Sequence, residues 1–411
     1  QSENVNVEAE VRNLKDVHAE LKHAGDSGLR LNDLHAELER VIDLIEKALY
    51  NKSSTSEEPA FGNHSFVTQY KRHRHGCENQ QDNVPGLEDI VGKQISSPHG
   101  VQSDQRLKSR RAEMCQTIAH KNVMLKMRAT KIDEETKRIL KYTPGNWLVE
   151  TGGMNRCDYD IPCVTSLLLV GLKGAGKSSL INSILRVLSD GHQMLNRAQV
   201  SYKSSPESGT YFLQEYSVPE ASNTFCIYDS CGLLGNVTED SLLLQSWLEN
   251  GIRHGQMVVR SSDDIVVRTA FGNKERAEWH KFSKIRKVHF VIFVVNALSV
   301  FQLMTTMDTE SLGILVKLFS FPYLSFKDDK PVIVMTHGDA LDASNRLKAR
   351  IFLGELLGVS AADQIFDISD ECNLATDVAV LDMLEYALQR ADNNLPCKTR
   401  DRVPGLNCIF K

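Results

Sequence analysis

Hydrophobic residues are spaced differently in the two parts of the chain that meet near residue 144. After it, short apolar runs alternate with stretches of helical periodicity, and the runs lie at 165–170, 211–217, 224–229, 288–295, 331–335 and 364–368. Continuous apolar runs separated by helices are typical of buried strands in a parallel sheet. The pattern predicts an α/β domain over 144–396, with a mostly parallel sheet and helices on both faces.

The part before residue 144 has a helical and then a polar pattern. Apolar positions at helical spacing predict a helical hairpin over residues 1–50, which could pack on the main domain or join a coiled coil with a partner. Residues 51–104 are rich in Ser, Asn, Gln and His and predict a flexible linker. A basic helical segment is predicted over 105–143, and a short tail over 397–411.

The basic segment has several interpretations. Between residues 104 and 142, eleven lysines and arginines outnumber five acidic residues. Such a segment can contact a peripheral membrane surface, an acidic protein or a nucleic acid. Aromatic residues for base stacking are absent until Tyr142, which weakens the case for RNA. A solvated helix face packed on the globular domain is the favoured interpretation.

Composition adds little to this picture except the compartment. The chain is 41% hydrophobic and 25% charged with a net charge of −5, which is ordinary for a globular protein and gives no general attraction to nucleic acid. Its nine cysteines form no C-x-x-C pair, which favours reduced thiols. The longest apolar run, 290–300, is too short to span a bilayer. We therefore expect a cytoplasmic protein without a transmembrane segment.

A glycine-rich motif directly follows the first apolar run of the domain. Residues 171–178 read Gly-Leu-Lys-Gly-Ala-Gly-Lys-Ser, and a helical pattern continues to about residue 188. The glycines let several backbone N–H groups converge on a phosphate, and the helix points its positive end at the same anion. The motif is that of a P-loop. Its predicted nucleotide-binding residues are Gly171, Lys173, Gly174, Ala175, Gly176, Lys177, Ser178 and Ser179.

Three residues are predicted to act on the terminal phosphates and the metal. Lys177 should reach the β- and γ-phosphates as a catalytic residue, and the Ser178 hydroxyl should bind Mg²⁺. Thr210, just before the second apolar run, is predicted to give a second magnesium hydroxyl and to be catalytic. Its rivals are Ser204, Ser205 and Ser208, and it could instead simply begin a strand.

Another apolar run ends in Asp-x-x-Gly. The Asp229 carboxylate can hold Mg²⁺ through a water, and the Gly232 N–H can sense the γ-phosphate. This short motif is weak alone, and its place after a strand and downstream of the P-loop strengthens it.

The later apolar run at 331–335 is followed directly by Thr336-His337-Gly-Asp339. One carboxylate can accept two hydrogen bonds from the N1–H and N2–H₂ edge of guanine, and adenine has no such pair of donors. Asp339 therefore favours GTP or GDP over ATP, although it could be a turn residue before a helix over 340–356. Ser369, at the end of the last strand, could give a backbone N–H to the guanine oxygen.

Together these motifs resemble the TRAFAC class of P-loop GTPases over roughly residues 160–392. Within that class the chain is most similar to the interferon-induced GTPase-like proteins and their plant P-loop relatives, and more loosely to septin-like and immunity-associated GTPases. The matching stretches are 168–182, 228–233, 291–296 and 336–339. The resemblance implies a P-loop NTPase domain that binds GTP or GDP with Mg²⁺. It does not extend to residues 1–140.

Two departures from the pattern bear on turnover. The usual Asn-Lys-x-Asp is Thr336-His337-Gly-Asp339 here, so guanine affinity is expected to be modest. Leu233 stands where many related GTPases have a glutamine that orients water, and leucine cannot do so. Hydrolysis is therefore expected to be slow, or to use a group from a partner or from elsewhere in the chain. An arginine in the long insertion after Leu233 could act as that group (Arg253, Arg260 or Arg268), although a solvated charge is the default interpretation of each.

The predicted function is a GTP-binding protein, a slow or partner-assisted Mg-dependent GTPase that acts as a regulatory switch or assembly factor. A homodimer or another protein could bind through the GTPase domain or the N-terminal helices. Two alternatives remain: a nucleotide-binding scaffold without significant hydrolysis, and an ATP-using phosphotransferase built on the same loop.

Overall fold

The computed structural model describes residues 100–150, 152–189, 211–218, 224–260, 284–327, 329–369 and 373–398. The chain divides into two compact units, residues 1–119 and 120–411. The predicted hairpin over 1–50 and the predicted metal ligand Thr210 lie outside the described residues, so both stay predictions.

In the first unit, the described residues belong to helix α1, which spans Gly100–Arg128 and continues into the second unit. The helix begins inside the range 51–104 that the composition assigns to a linker. The Thr117 hydroxyl donates to the Glu113 carbonyl one turn earlier, at 2.9 Å. The other boundaries of the predicted domains stay predictions.

The second unit is built around one sheet. Its strands are β1 (Thr165–Val170), β2 (Phe212–Val218), β3 (Phe225–Asp229), β4 (Gln256–Met257), β5 (Phe290–Asn296), β6 (Val332–Thr336) and β7 (Ile365–Asp367). In the described residues the strand order is β4-β2-β3-β1-β5-β6-β7. All pairs from β3 to β7 are parallel, and β2 runs antiparallel to β3 and β4. The predicted mostly parallel sheet is confirmed.

The helices of the second unit follow the strands. They are α2 (Ile132–Leu140), α3 (Lys177–Leu188), α4 (Val237–Asn250), α5 (Ala297–Thr306), α6 (Thr309–Phe319), α7 (Ala343–Leu357) and α8 (Leu374–Asn393). An Asn or Asp side chain accepts the N–H of the third helical residue at the start of α4, α5, α6, α7 and α8. These caps fix where five of the helices begin, because they satisfy amides that have no partner within the helix.

Helices cover both faces of the sheet. Leu167 and Val294 belong to a buried cluster that also contains Ile184 of α3 and Leu384 of α8. Phe293 is the neighbour of Val294 in β5 and points to the opposite face, since successive strand residues alternate. Its ring centroid lies 5.3 Å from that of Phe319 in α6, edge to face. Each helix layer therefore packs on its own set of alternate strand residues, as predicted.

The strand order places a crevice at one edge of the sheet. β1 lies between β3 and β5, so the chain leaves the carboxyl ends of neighbouring parallel strands in opposite directions. Ligands of open α/β sheets bind outside this edge, where the strand order reverses. The loops after β1, β3, β6 and β7, which hold the predicted site residues other than Thr210, all begin here. Within the described ranges, no helix combines the length and apolarity needed to cross a membrane.

Candidate functional site

The loop after β1 closes tightly between the strand and α3. A Cβ on Gly171 would lie 2.2 Å from the Val294 carbonyl oxygen, so only glycine allows this approach to β5. Gly176 is the N-cap residue of α3 and has φ +84, a left-handed conformation that favours glycine. A Cβ there would lie 3.0 Å from Thr336 Oγ1. Close backbone packing thus favours glycine at positions 171 and 176.

The start of α3 differs from the capped helices. No side chain caps its first amides, and Gly176 supplies only backbone. Ser178 and Ser179 lie in its first turn, and Gly174 and the exposed Lys173 lie at the tip of the loop. Ala175 is buried under the loop. The first turn of α3 therefore presents amides and a helix dipole to the crevice, the arrangement that binds phosphate.

Lys177 lies folded back inside the loop. Its Nζ donates to the Gly171 carbonyl at 3.0 Å and to the Leu172 carbonyl at 3.1 Å, and the side chain is buried. Burial lowers the pKa of the ammonium to about 8, although the Asp229 carboxylate nearby acts in the opposite direction. The carbonyls hold the charged group where a phosphate oxygen could replace them.

Asp229 ends β3 beside the first turn of α3. Its Oδ2 accepts a hydrogen bond from the Ser178 hydroxyl at 2.6 Å. Its Oδ1 is buried and has no hydrogen-bond partner among the described residues. Burial raises the pKa of this carboxyl, while the Ser178 hydrogen bond and the Lys177 charge lower it. A carboxylate and a hydroxyl oxygen are ligands that Mg²⁺ takes, so an unsatisfied buried oxygen at this position fits a magnesium ion.

The loop after Asp229 is joined to the P-loop. The Leu233 N–H donates to the Gly171 carbonyl at 3.0 Å, and the Lys173 N–H donates to the Leu233 carbonyl at 2.8 Å. A Cβ on Gly232 would lie 2.5 Å from the Lys173 Cα. The sequence motifs give no sign of this bridge, because it depends on the backbone path of two loops. A movement of one loop must therefore move the other.

The Leu233 side chain is 1% exposed. It lines a mostly apolar cavity of about 430 Å³ with residues of β5, α5 and α6. The side chain is therefore directed away from solvent into apolar surroundings, and it offers no polar atom to a water molecule.

Thr336 connects the loop after β6 with the P-loop. Its hydroxyl donates to the Ala175 carbonyl at 2.7 Å and also lies 3.1 Å from the Val295 carbonyl oxygen. His337 Nδ1 is 2.9 Å from the same hydroxyl, and His337 has φ +55, an unusual conformation for a residue other than glycine. A Cβ on Gly176 would lie 3.0 Å from His337 Cε1. The hydroxyl thus holds two loops together, and the imidazole lies over the start of α3.

The predicted base-reading residues lie at the ends of β6 and β7. Asp339 is exposed in a short 3₁₀ turn, Gly338–Ala340, and Ser369 is buried just after β7. The Ile368 N–H donates to the Met335 carbonyl at 2.9 Å, which fixes the two loops side by side. The structure therefore brings Asp339 and the β7 end to one side of the crevice.

Asp367, at the end of β7, was not among the predicted site residues. Its Oδ1 is buried without a hydrogen-bond partner among the described residues, and a Cβ on Gly338 would lie 2.7 Å from it. Burial raises its pKa, and the negative charge of Asp339 acts in the same direction while Arg346 and Arg350 oppose it. In the sequence, Asp367 could have been noticed as the acidic residue directly before Ile368 and Ser369.

Comparisons with known proteins give no family for this chain. No family model matches it, and no curated protein matches it. Among solved structures, one similar chain is described as a probable GTP-binding protein engB, with 13% identity and a TM-score of 0.31 over 54% of this chain and 100% of that one. Another belongs to a signal recognition particle receptor SRb-GTP/SRX complex from Chaetomium thermophilum, with 16% identity and a TM-score of 0.23 over 47% and 82%. Both scores are too low to carry an argument, so the P-loop α/β fold is read from the strand order and loops themselves.

Proposed function

We propose that this chain binds GTP and GDP with Mg²⁺ at the carboxyl edge of the sheet and hydrolyses GTP slowly or with the help of a partner. One observation carries the proposal. Lys177, Ser178 and Asp229 surround the uncapped start of α3, and the Asp229 Oδ1 is buried there without a hydrogen-bond partner among the described residues. A cation, a hydroxyl and a carboxylate with one unsatisfied oxygen thus lie around a helix start that can bind an anion.

Each residue has a defined task in this proposal. The amides of the loop and of the first turn of α3 bind the phosphates, and the Lys177 ammonium exchanges its carbonyl partners for β- and γ-phosphate oxygens. Ser178 and Asp229 hold the metal, with Thr210 as the further ligand. Bound Mg²⁺ supplies positive charge that offsets the negative charge of the phosphates. Gly232 senses the γ-phosphate through its N–H.

Base selection is assigned to the loops after β6 and β7. Asp339 accepts the two donors of the guanine edge, and His337 lies along the base. The Ser369 N–H donates to the guanine oxygen. The Thr336 hydroxyl donates to the Ala175 carbonyl rather than to the base. It therefore holds the base-reading loop against the P-loop.

The narrower parts of the proposal come from the motif resemblance. They are a place near the interferon-induced GTPase-like proteins and their plant relatives and a role as regulatory switch or assembly factor; the proposed cytoplasmic location comes from the cysteine content and the short apolar runs instead. The bridge between Leu233 and the P-loop supports a switch, because nucleotide contacts on one loop would move the other. A second candidate, a nucleotide-binding scaffold without significant hydrolysis, is favoured by the buried Leu233 side chain.

The Asp339→Asn variant tests base selection. We expect its GTP affinity to fall about 10- to 100-fold, because asparagine is uncharged and can accept only one of the two guanine hydrogen bonds, while its NH₂ group faces the guanine amino group. Affinity for xanthosine triphosphate should rise, because an amide can pair with the carbonyl that replaces the guanine amino group. Both are measured by equilibrium binding.

The matched control is Asp342→Asn, three residues along the chain. Asp342 caps α7 by accepting the Asn345 N–H at 2.9 Å, and asparagine caps helices equally well. Its GTP affinity should match the wild type. Unchanged GTP binding by Asp339→Asn would remove Asp339 as the base reader.

A further inference from the structure

Arg260 reaches the loop that follows β3. One guanidinium nitrogen donates to the Gly232 carbonyl at 2.6 Å and lies 3.5 Å from the Cys231 sulfur. Gly232 in turn packs against the Lys173 backbone of the P-loop, so closely that a Cβ would lie 2.5 Å from the Lys173 Cα. Only one residue therefore separates the guanidinium from the P-loop backbone.

Strand β4 explains how a residue of the insertion arrives at this edge. Gln214 of β2 lies opposite Asp229 in an antiparallel pair, so β2 begins where β3 ends. β4 is antiparallel to β2 and therefore ends at the same edge. The Val258 N–H continues the pairing by donating to the Tyr211 carbonyl at 2.8 Å. Arg260 follows two residues later, beside the carboxyl end of β3.

The charges around Arg260 place two cations near each other. Its positive charge acts on the buried Lys177 ammonium of the P-loop. On the other side, the buried Asp240 carboxylate accepts the Leu234 and Gly235 N–H groups, and the Arg260 charge lowers its pKa against the larger effect of burial. Two cations converging on the P-loop would repel each other less if a phosphate lay between them.

We propose that Arg260 is a catalytic arginine supplied by the chain itself, whose guanidinium stabilises the γ-phosphoryl group during GTP hydrolysis. The proposal rests on the GTPase function proposed above. A guanidinium has five N–H donors, so it can keep the Gly232 carbonyl and still donate to phosphate oxygens. It also supplies a group acting on the γ-phosphate in a site where Leu233 offers no polar atom.

The step is a nucleophilic displacement in which water attacks the γ-phosphorus. The water oxygen forms a bond to the γ-phosphorus, and the bond from that phosphorus to the β–γ bridging oxygen breaks with its electron pair staying on GDP. The products are GDP, inorganic phosphate and a proton released from the water to phosphate and solvent. Arg260 stays protonated throughout and contributes charge and hydrogen bonds only.

The test compares the full-length wild type with Arg260→Ala and Arg260→Gln, and uses Arg253→Ala from the same insertion as control. Glutamine keeps a polar N–H on a shorter side chain and has no charge. We expect both Arg260 variants to bind GDP with Mg²⁺ within about threefold of the wild type. Their single-turnover GTP hydrolysis should fall about 10³-fold or more. They should also lose the tighter GDP binding that aluminium fluoride gives the wild type, and Arg253→Ala should keep all three properties.

Several results would overturn the proposal. One is hydrolysis by Arg260→Gln near the wild-type rate, which would make Arg260 a brace for Gly232. Another is a fall in the GDP affinity of the Arg260 variants by the same factor as the fall in their rate of GTP hydrolysis. A wild type that binds GTP but neither hydrolyses it nor responds to aluminium fluoride would also reject the catalytic role and leave nucleotide binding intact. A wild type that binds no guanine nucleotide would instead reject the proposed function.

Discussion

At the scale of single residues, Lys177 and Asp229 are held in states that a bound triphosphate and its metal ion would relieve. The ammonium is buried against two carbonyls, and the carboxylate has one oxygen without a hydrogen-bond partner among the described residues. Groups kept under such strain in the absence of a ligand are typical of binding sites. The free-energy cost of these two arrangements is offset when phosphate and metal provide the missing partners.

The pKa of Lys177 leads to a prediction for pH. In the free protein it lies at about 8 against an ordinary value of 10.5. Between these values the unfolded chain binds more protons, so the free energy of unfolding rises with pH across that window. Bound phosphates favour the charged ammonium. GTP affinity should therefore be greatest below about pH 8 and weaken above it, as measured by titration with a fluorescent guanine nucleotide.

Lys177→Arg is the control for this effect. Arginine stays protonated at every pH of the titration, so the variant should lose the decline above about pH 8 even if it binds more weakly. A wild-type affinity that stays constant between about pH 7 and pH 9 would contradict the assignment of Lys177 to the phosphates.

Which site residues could be predicted depends on how local their contacts are. Lys177, Ser178 and Asp229 follow from motif spacing, because the P-loop and the strand end determine their positions. The burial of Leu233, the unsatisfied Asp367 oxygen and the contact of Arg260 with Gly232 depend on packing between distant segments. No local pattern records such packing, so the sequence left three arginines of the insertion as equal candidates.

At the scale of elements, the start of α3 depends on glycine. In Gly176→Ala, the methyl group would lie 3.0 Å from both Thr336 Oγ1 and His337 Cε1, at a φ of +84. The left-handed conformation alone costs about 1–2 kcal/mol with a side chain. We expect the free energy of unfolding to fall by at least that amount, and nucleotide binding to fall with it, as measured by chemical denaturation and equilibrium binding.

Gly313→Ala is the matched control in α6. Nothing lies within 4 Å of a Cβ at this helical position. Alanine is favoured over glycine inside a helix by about 1 kcal/mol, so this variant should be more stable than the wild type. If Gly176→Ala were equally stable, the tight fit between the P-loop and the base-reading loop would be wrong.

Helix α8 anchors the segment that leads into the domain. Asp392 is fully buried and accepts the Tyr142 hydroxyl at 2.7 Å, the Gly145 N–H at 2.8 Å and the Trp147 N–H at 2.9 Å. Asp392→Ala removes the acceptor of the Gly145 and Trp147 N–H groups and leaves the Tyr142 hydroxyl with the Thr165 hydroxyl, 2.8 Å away. We expect the free energy of unfolding to fall by about 3 kcal/mol or more, measured by urea denaturation.

The neighbouring position offers the comparison. Among the described residues, the Asn393 side-chain oxygen accepts the exposed Val149 N–H, at 2.9 Å. Asn393→Ala should therefore change the free energy of unfolding by less than about 1 kcal/mol. Similar losses in both variants would show that Asp392 is no special anchor.

The elements themselves were largely predictable. All six apolar runs are strands, and the helix after the P-loop spans Lys177–Leu188 as expected. Strand β4 was missed, since a strand of two residues is too short to carry a periodic signal. It is nevertheless the element that brings Arg260 beside the carboxyl end of β3.

At the scale of the whole second unit, the site is assembled from loops that are far apart in sequence. β1 is central, and the P-loop is hydrogen-bonded to the loop after β3 through Leu233 and to the loop after β6 through Thr336. A nucleotide that contacts the P-loop is thereby linked to both neighbours. This coupling supports a role in which the nucleotide state alters the surface offered to a partner.

The central claim, guanine-nucleotide binding at this edge, is tested most directly by calorimetric titration of the full chain with GTP and with ATP in the presence of Mg²⁺. We expect one GTP per chain and an affinity for ATP at least about tenfold weaker, with neither nucleotide binding to Lys177→Ala. Equal or tighter binding of ATP, or GTP binding that survives in Lys177→Ala, would contradict the account.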